Sequence, residues 1–525
     1  MNHRTFKALA VAGTLLVLAA VGCTDTTVQP KSTVTSSNIF NDPSSYQAFL
    51  ARVYAGLAVS GQQGPAGNAD IQGIDEGFSQ YLRLYWELEE LPTDAAVIGW
   101  GDIGLPEMNL MTWTSSSTMV VAMYYRIFVQ ASMANEFLRQ TTDAALASRS
   151  VSAPLKATIQ TYRAEARFLR ALSYWHGLDL FGNIPLVTEN DPVGGAPPRQ
   201  ATRATIYAYV VSELNAIRTL LPAAGPSNYG RATTAAADML LAEIYLNAGV
   251  YTGTPAYGLA LTSAANVIAA GYTLDPSYAH LFQADNNTSP EIIFPIESDG
   301  NNTQTYGGTT FLIHAECGGS IMSASDYGMD YCWGGTRLKP EAYNLFAAGD
   351  HRGMFFTNGQ TVAVTTISNF NNGIASIKYT NKTSTGGSGK NPTFVDTDFP
   401  LFRLGEAYLI YAEAHVRGGG GTDALALQYM NALRTRAYGN ASANFASISQ
   451  VTTDTILAER GRELLWEAHR RTDLVRFGLF TGGTYKWAWK GGIVGGQATD
   501  AKYNLYPLPA TEIVANPNLT QNPGY

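Results

Sequence analysis

The chain is 525 residues long, 46% hydrophobic and only 14% charged, with 51 Gly, 29 Tyr and 3 Cys. That is enough apolar material to bury large cores, which excludes a disordered chain and a small disulfide scaffold. A charged fraction well below the roughly 25% of ordinary soluble proteins leaves the surface to neutral polar groups, glycine and tyrosine, a common finish for extracellular proteins, and a net charge of −8 supplies no basic surplus for a nucleic-acid partner.

The first elements in the chain concern its address. His3, Arg4 and Lys7 form a short basic region, and the apolar stretch from Ala8 to Val21 is shorter than the ~20 residues a spanning helix needs. Residues 1–22 therefore read as a signal peptide. The stretch ends in Leu18-Ala19-Ala20-Val21-Gly22-Cys23, which resembles a bacterial lipobox with Ala20 where Leu is commoner. The expected product starts at a lipidated Cys23, whose acyl chains would anchor it durably to a membrane. Residues 23–39, rich in Thr and Ser, follow as a flexible tether, and no other stretch is expected to cross a membrane.

From residue 40 to 275 the hydrophobic pattern is helical. The spacing predicts helices over Ser44 to Ser60, Glu76 to Leu91, Thr118 to Ala144, Pro154 to Leu180, Arg203 to Leu221, Ala232 to Ala248 and Pro255 to Ala270. Ala, Tyr and Leu recur at three- and four-residue intervals, so small residues let helices approach while tyrosines fill the gaps, as in stacked hairpins of the tetratricopeptide type. No constant 34-residue register is visible, and a non-repetitive bundle stays open. From 276 to 400 the texture changes to Gly, Asn, Ser and Thr with short β-branched pieces such as Thr361 to Ile367. Helical pattern returns at Leu401 to Arg417, Ala424 to Tyr438 and Thr453 to Gly478, before an irregular tail, 481–525. The expected fold is mainly α: a tetratricopeptide-like scaffold of helical hairpins, 40–275 and 401–480, carrying a loop-rich insertion with short β segments, 276–400.

Charged rows stand out on two helices. Arg163, Arg167, Arg170 and Tyr174 share one face, and Glu459, Glu463 and Glu467 form an acidic row at i, i+4, i+8. Aligned carboxylates could serve glycoside cleavage, but arginines within reach on the same helix would depress their pKa and spoil a general acid. The seven histidines are scattered; there is no HExxH, no paired metal-ligand spacing, no G-x-S-x-G and no Walker loop. Nothing proposes a reaction, a metal or a cofactor. Cys317 and Cys332, in an exported chain, are a possible disulfide.

Aromatics in glycine-rich segments carry the stronger functional signal. Trp100 lies in Ile98-Gly99-Trp100-Gly101-Asp102-Ile103-Gly104, and Tyr327, Tyr331 and Trp333 lie in Asp326-Tyr327-Gly328-Met329-Asp330-Tyr331-Cys332-Trp333-Gly334-Gly335. A ring flanked by glycine can offer its whole face to sugar C–H groups while an acid such as Asp102 takes hydroxyls. The alternative is that these rings plug gaps between loops and scaffold.

Three segments give the chain a family resemblance: Tyr162-Arg163-Ala164-Glu165-Ala166-Arg167-Phe168-Leu169-Arg170-Ala171 continuing to Leu180-Phe181-Gly182-Asn183-Ile184-Pro185-Leu186; Glu459-Arg460-Gly461-Arg462-Glu463-Leu464 through Asp473-Leu474-Val475-Arg476; and Tyr506-Pro507-Leu508-Pro509 through Asn516 to Tyr525. Together with the lipobox they resemble the SusD/RagB-like outer-membrane lipoproteins. The resemblance implies a helical frame with a loop-rich insertion and non-enzymatic capture of nutrient at the cell surface. It further implies delivery to a SusC-like TonB-dependent transporter as partner. In glycan-binding members aromatics from the loop after the early helices and from the insertion form a sugar platform, which places Trp100, Asp102, Tyr327, Tyr331 and Trp333 in the expected regions. RagB-type members take peptides, so glycan and peptide both stay open, as do the more distant readings of a surface glycosidase or a structural envelope lipoprotein.

Overall fold

The computed structural model describes residues 39–525, apart from residue 66. The signal peptide, Cys23 and the tether up to residue 38 lie outside the described residues. Contacts separate 39–45 of the described chain from a second unit, Tyr46–Tyr525, which holds everything discussed below except the first two residues of the first helix.

Threonine sets many of the helix starts. After α1 (Ser44–Ala58) and α2 (Tyr81–Glu90) come the short strand β1 (Ala96–Ile98), α3 (Leu105–Leu110), α4 (Thr118–Gln140), α5 (Asp143–Ser148) and the long α6 (Ala153–Leu180). A small antiparallel pair, β2 (Ile184–Pro185) and β3 (Gln200–Ala201), leads into α7 (Arg203–Ile217), α8 (Thr234–Leu246), α9 (Ala248–Thr252) and α10 (Tyr257–Ile268). Thr142, Thr202 and Thr233 each accept the backbone N–H three residues on, satisfying a donor that a helix N-terminus otherwise leaves orphaned. The same chemistry corrects two predicted boundaries. The expected helix from Glu76 starts only at Tyr81, because the Asp75 carboxylate takes the N–H of Gly77 and Gln80 caps Arg83. The expected helix to Ala144 ends at Gln140, because Thr142 opens a new one.

The insertion is bounded by a clasp. Strand β4 (Ile292–Ile296) pairs antiparallel with a strand from the far end of the insertion, Phe399–Arg403, in the register Ile292↔Arg403 and Ile296↔Phe399, with irregularities between. Between them lie α11 (Gly308–Glu316), β5 (Thr336–Leu338), α12 (Pro340–Tyr343), and the antiparallel pair β6 (Phe355–Phe356) and β7 (Ala375–Ser376); the clasp's second strand is β8 (Phe399–Arg403). The β-branched run Thr361 to Ile367, expected as a β piece, is irregular apart from a single bridge at Thr361, its polar groups being met within the loop by Asn371 and Asn372.

After the insertion come α13 (Leu404–Val416), α14 (Asp423–Tyr438), α15 (Thr453–Glu463), α16 (Arg470–Arg476) and, in the tail, α17 (Ala510–Ala515). Helices close in sequence pack in pairs, α4 on α6 and α8 on α10 across the short α5 and α9, and α6 on α7 and α13 on α14 directly; α13 also lies on α10, joining the two segments that the insertion separates. Alanines 235, 236, 237 and 242 on α8, 260 and 264 on α10, and 407, 412 and 414 on α13 are buried at these contacts, as close helix approach requires. The fold is mainly α with short β segments, as expected.

The predicted single helix Thr453 to Gly478 is two. It breaks after Glu463, with Trp466 and Ala468 at φ 60° and 62°, positions an L-residue occupies only when surrounding contacts impose them. Trp466 is fully buried, donating its indole N–H to Ala95 O at 3.2 Å. The acidic row therefore does not lie on one helix, and its counter-charges come from elsewhere. Glu459 meets Arg462 on its own helix but also Arg352 and Arg434; Glu463 meets Arg352, Arg403 and Arg436; Glu467 meets Arg403 and Lys378. A Cβ on Gly405 would stand 2.5 Å from Arg403 Nη1 and 3.0 Å from Glu463 Oε1, so only glycine leaves room for this cluster. The arginine row of α6 pairs elsewhere too: Arg167 and Arg170 share Glu213, and Arg170 also holds Glu189. The tail closes the scaffold, Asn522 donating to Phe181 O at 2.9 Å and Tyr506 O at 2.7 Å.

Candidate ligand-binding site

Two three-residue strands bring distant aromatics together. β1 pairs antiparallel with β5, Ala96 opposite Leu338 and Ile98 opposite Thr336, and the ladder is extended by Gly99 N–H donating to Gly335 O at 2.9 Å. The glycine-rich segment after β1 and the one before β5 thus become neighbours. Trp100 packs against Gly335, where a Cβ would come within 2.6 Å of its Cε2, and donates its indole N–H to Gly334 O at 3.3 Å. Its ring centroid is 6.3 Å from that of Trp333, tilted 49°. Trp333 in turn stands 6.3 Å from Tyr306 at 52° and stacks on His314 at 4.5 Å and 22°. Trp100, Trp333 and Tyr306 are thus a cluster of three half-buried rings.

The support under this surface is rigid for identifiable reasons. Residues 333–335 run beside the end of α11, with Trp333 N–H donating to His314 O at 2.8 Å, Gly334 N–H to Cys317 O at 2.8 Å and Gly335 N–H to Ala315 O at 2.7 Å. A disulfide joins Cys317 and Cys332, whose Cα atoms are 4.9 Å apart. The His314 ring is held from both sides by carbonyl oxygens, Tyr331 O at Nδ1 and Thr393 O at Nε2, 2.6 and 3.0 Å away. Burial lowers its pKa against the pull of these two acceptors. Beneath the rings, Arg83 of α2 lies over Phe78 and Phe311 at 3.8 and 4.2 Å and stands 5.7 Å from the Trp100 ring. Its Nε donates to Glu87 at 2.9 Å and its Nη1 to Tyr306 O at 3.4 Å, while buried Nη2 has no partner. Burial pushes the Glu87 carboxyl up despite Arg83, and the charge of Asp102 pushes the same way.

Of the residues singled out from sequence, Trp100 and Trp333 meet. Asp102 is exposed on the loop beyond Trp100, beside Ile103, which is 81% exposed. Tyr331 is 69% exposed and contributes its carbonyl to His314, while Tyr327 is half-buried on the turn Ala324–Tyr327 and contributes its carbonyl to Asn381 N–H at 3.0 Å. Among the described residues neither tyrosine ring joins the stacked group. Asp326 and Asp330, the carboxylates nearest in sequence, are exposed, and Asp330 accepts the Thr393 hydroxyl. Sequence reasoning missed Tyr306, His314 and Arg83. The first was findable, since Thr305-Tyr306-Gly307-Gly308 carries the same aromatic-before-glycine signature as Trp100 and Trp333; the other two sit in ordinary helical sequence.

The starch-binding protein SusD of Bacteroides thetaiotaomicron is 34% identical to this chain over 91% of its length and 92% of the relative's. This chain belongs to the SusD family. The SusD family model matches residues 354–525, the C-terminal third, which holds the Arg403–Glu463 cluster and the tail. Two solved structures share the fold. Surface glycan-binding protein A from Bacteroides thetaiotaomicron superposes with a TM-score of 0.70 at 22% identity over 93% of this chain and 100% of that one. The protein of the same name in complex with laminarihexaose superposes at 0.68, 21% identity, over 91% and 98%. All three segments that resemble the family belong to the frame: α6 and its ion pairs, the broken α15–α16 stretch, and the tail strapped to Phe181. The aromatic surface of this SusD-family chain lies outside them.

Proposed function

We propose that this SusD-family protein is a non-enzymatic glycan-binding lipoprotein of the cell surface, with the cluster of Trp100, Trp333 and Tyr306 as its ligand platform. The observation that carries the reading is the grouping of the rings: three half-buried aromatics at 6.3 Å spacing, tilted by 49° and 52°, offer successive faces on which sugar C–H groups can pack. Arg83, buried beneath the rings, braces them by lying over Phe78 and Phe311 and 5.7 Å from the Trp100 ring. The names of the relatives, a starch-binding protein and a surface glycan-binding protein, agree with a sugar ligand. Anchoring at Cys23 and hand-over to a SusC-like TonB-dependent transporter complete the proposal; a tethered binder beside a transporter raises the local ligand concentration that a shallow platform needs.

The test is calorimetry of the chain against α- and β-glucan oligosaccharides and peptides, with Trp100→Ala, Trp333→Ala and Tyr306→Ala. Each ring lost should remove about 1 kcal/mol, a weakening of about fivefold, with melting temperature held. Peptide binding without a glycan signal would overturn the sugar assignment, and release of product from any glycan would overturn the non-enzymatic one.

A further inference from the structure

Three side chains that the ligand platform does not use meet inside the scaffold. Glu243 stands on α8, Glu406 on the first turn of α13, and His469 at the end of the left-handed stretch that separates α15 from α16. They are 1%, 1% and 6% exposed, and one ligand atom from each lies within 4.8 Å of the others. The Nδ1 of His469 is 3.4 Å from Glu406 Oε1; ligand atoms around a tetrahedral ion at about 2.0 Å stand about 3.3 Å apart. Glu243 Oε1 and Glu406 Oε1 are both buried without a hydrogen-bond partner. Asn247 reaches the other Glu243 oxygen at 3.3 Å.

One guanidinium, that of Arg460, faces Glu243, and among the described residues none pairs with Glu406. Arg460 Nη2 is 3.8 Å from Glu243 Oε1, but its Nε is given to Asp473 at 2.8 and 2.7 Å. Arg476 is shared between Asp473 and Glu413, which also takes Arg417. Four carboxylates, Glu243, Glu406, Asp473 and Glu413, thus share three guanidinium groups, those of Arg460, Arg476 and Arg417, and the cluster is one positive charge short at Glu406, a costly arrangement unless something fills it.

We propose that Glu243, Glu406 and His469 form a structural site for a divalent transition-metal ion of the zinc class. The donor set is two carboxylate oxygens and one imidazole nitrogen, which suits zinc and its neighbours; magnesium and calcium prefer all-oxygen shells. Burial keeps the imidazole neutral, as a ligand must be. The ion would tie α8, from before the insertion, to α13 and the α15–α16 break, from after it. The positions are far apart in sequence, so no ligand spacing could announce them.

The full chain, stripped with a chelator, is dialysed against Zn2+ or Co2+ and its metal content measured by mass spectrometry, alongside Glu406→Gln and His469→Ala checked for fold by circular dichroism. The expected result is one retained equivalent, visible absorption bands of four-coordinate Co2+, a lower melting temperature after chelation, and loss of the equivalent in both variants. Two results overturn it: no retained metal in the folded wild type, or retention unchanged in the variants. No metal together with an undiminished melting temperature for Glu406→Gln would show a shared proton in place of an ion. Should a variant fail to fold, the wild-type stoichiometry and Co2+ spectrum decide alone.

Discussion

Removing the carboxylate of Glu463 should destabilise the protein far more than removing its counterpart on α6. Glu463 is fully buried, and its two oxygens meet Arg403 at 2.7 Å, Arg352 at 2.9 Å and Arg436. These guanidinium groups override burial and hold its carboxyl well below the usual carboxylate range. In Glu463→Ala, Arg403 keeps Glu291 and Glu467, Arg352 keeps Asp350 and Glu459, and Arg436 keeps Glu291. None is stranded, but one buried negative charge is gone from among three cations, and breaking a buried pair of this kind costs about 3–5 kcal/mol. Arg167→Ala is the control. Its side chain is 25% exposed, and Glu213 retains Arg170 at 2.8 Å, so its loss should cost about 1 kcal/mol or less. Denaturant midpoints at constant slope measure both, and glycan titration of the folded variants should match wild type. A cost for Glu463→Ala no larger than for Arg167→Ala would refute the reasoning; weaker glycan binding at full stability would move the carboxylate into the site.

Acid should destabilise the protein through groups whose pKa the fold depresses. Burial depresses the His176 pKa from 6.5 to about 3, and at Glu459 burial is overridden by Arg352 and Arg462, which bring the carboxyl from 4.5 to about 2. In both cases the unfolded chain binds the proton first, so the contribution of His176 is lost as pH drops below 6.5 and that of Glu459 below 4.5. Burial raises Glu89 to about 8 and Asp398 to about 7, which act in the opposite sense above pH 4.5, so net loss of stability is expected below about 4.5, and a melting temperature flat from pH 4.5 to about 2 would contradict this. Gly335→Ala places a Cβ 2.6 Å from Trp100 Cε2 and should lift that ring, weakening glycan binding about fivefold and shifting tryptophan fluorescence; an unchanged titration would sink the platform geometry. Cys23→Ala should release the protein from the outer membrane, and continued partitioning with that membrane in fractionated cells would count against a lipid anchor.

Helix positions were legible because alanine, leucine and tyrosine repeat at helical intervals and threonines mark the starts. The break at Leu464 to His469 was not, since the residues imposing it, Ala95 under Trp466 and Glu90 accepting the N–H of Ala468 at 2.8 Å, come from more than 370 positions away. The arginine partners of Glu463 were hidden for the same reason. At the site, Trp100 and Trp333 could be singled out because glycine beside an exposed ring has few structural uses. Their juxtaposition could not, because it depends on a β1–β5 pair too short to give an alternating pattern. Tyr327 and Tyr331 share the glycine-rich signature, yet the fold uses their backbone carbonyls.

The β4–β8 clasp makes the insertion an exchangeable cassette whose two ends leave the frame side by side. Lengthening such a segment adds only slowly to the entropy of closing it, about 0.6 kcal/mol per doubling, so its contents can be rewritten while the frame's charged cluster stays untouched. The ligand platform straddles the seam: Trp100 belongs to the frame, Trp333 and Tyr306 to the cassette. A bound glycan on this platform would staple one to the other, and ligand occupancy would then be read out as protection of the cassette against proteolysis.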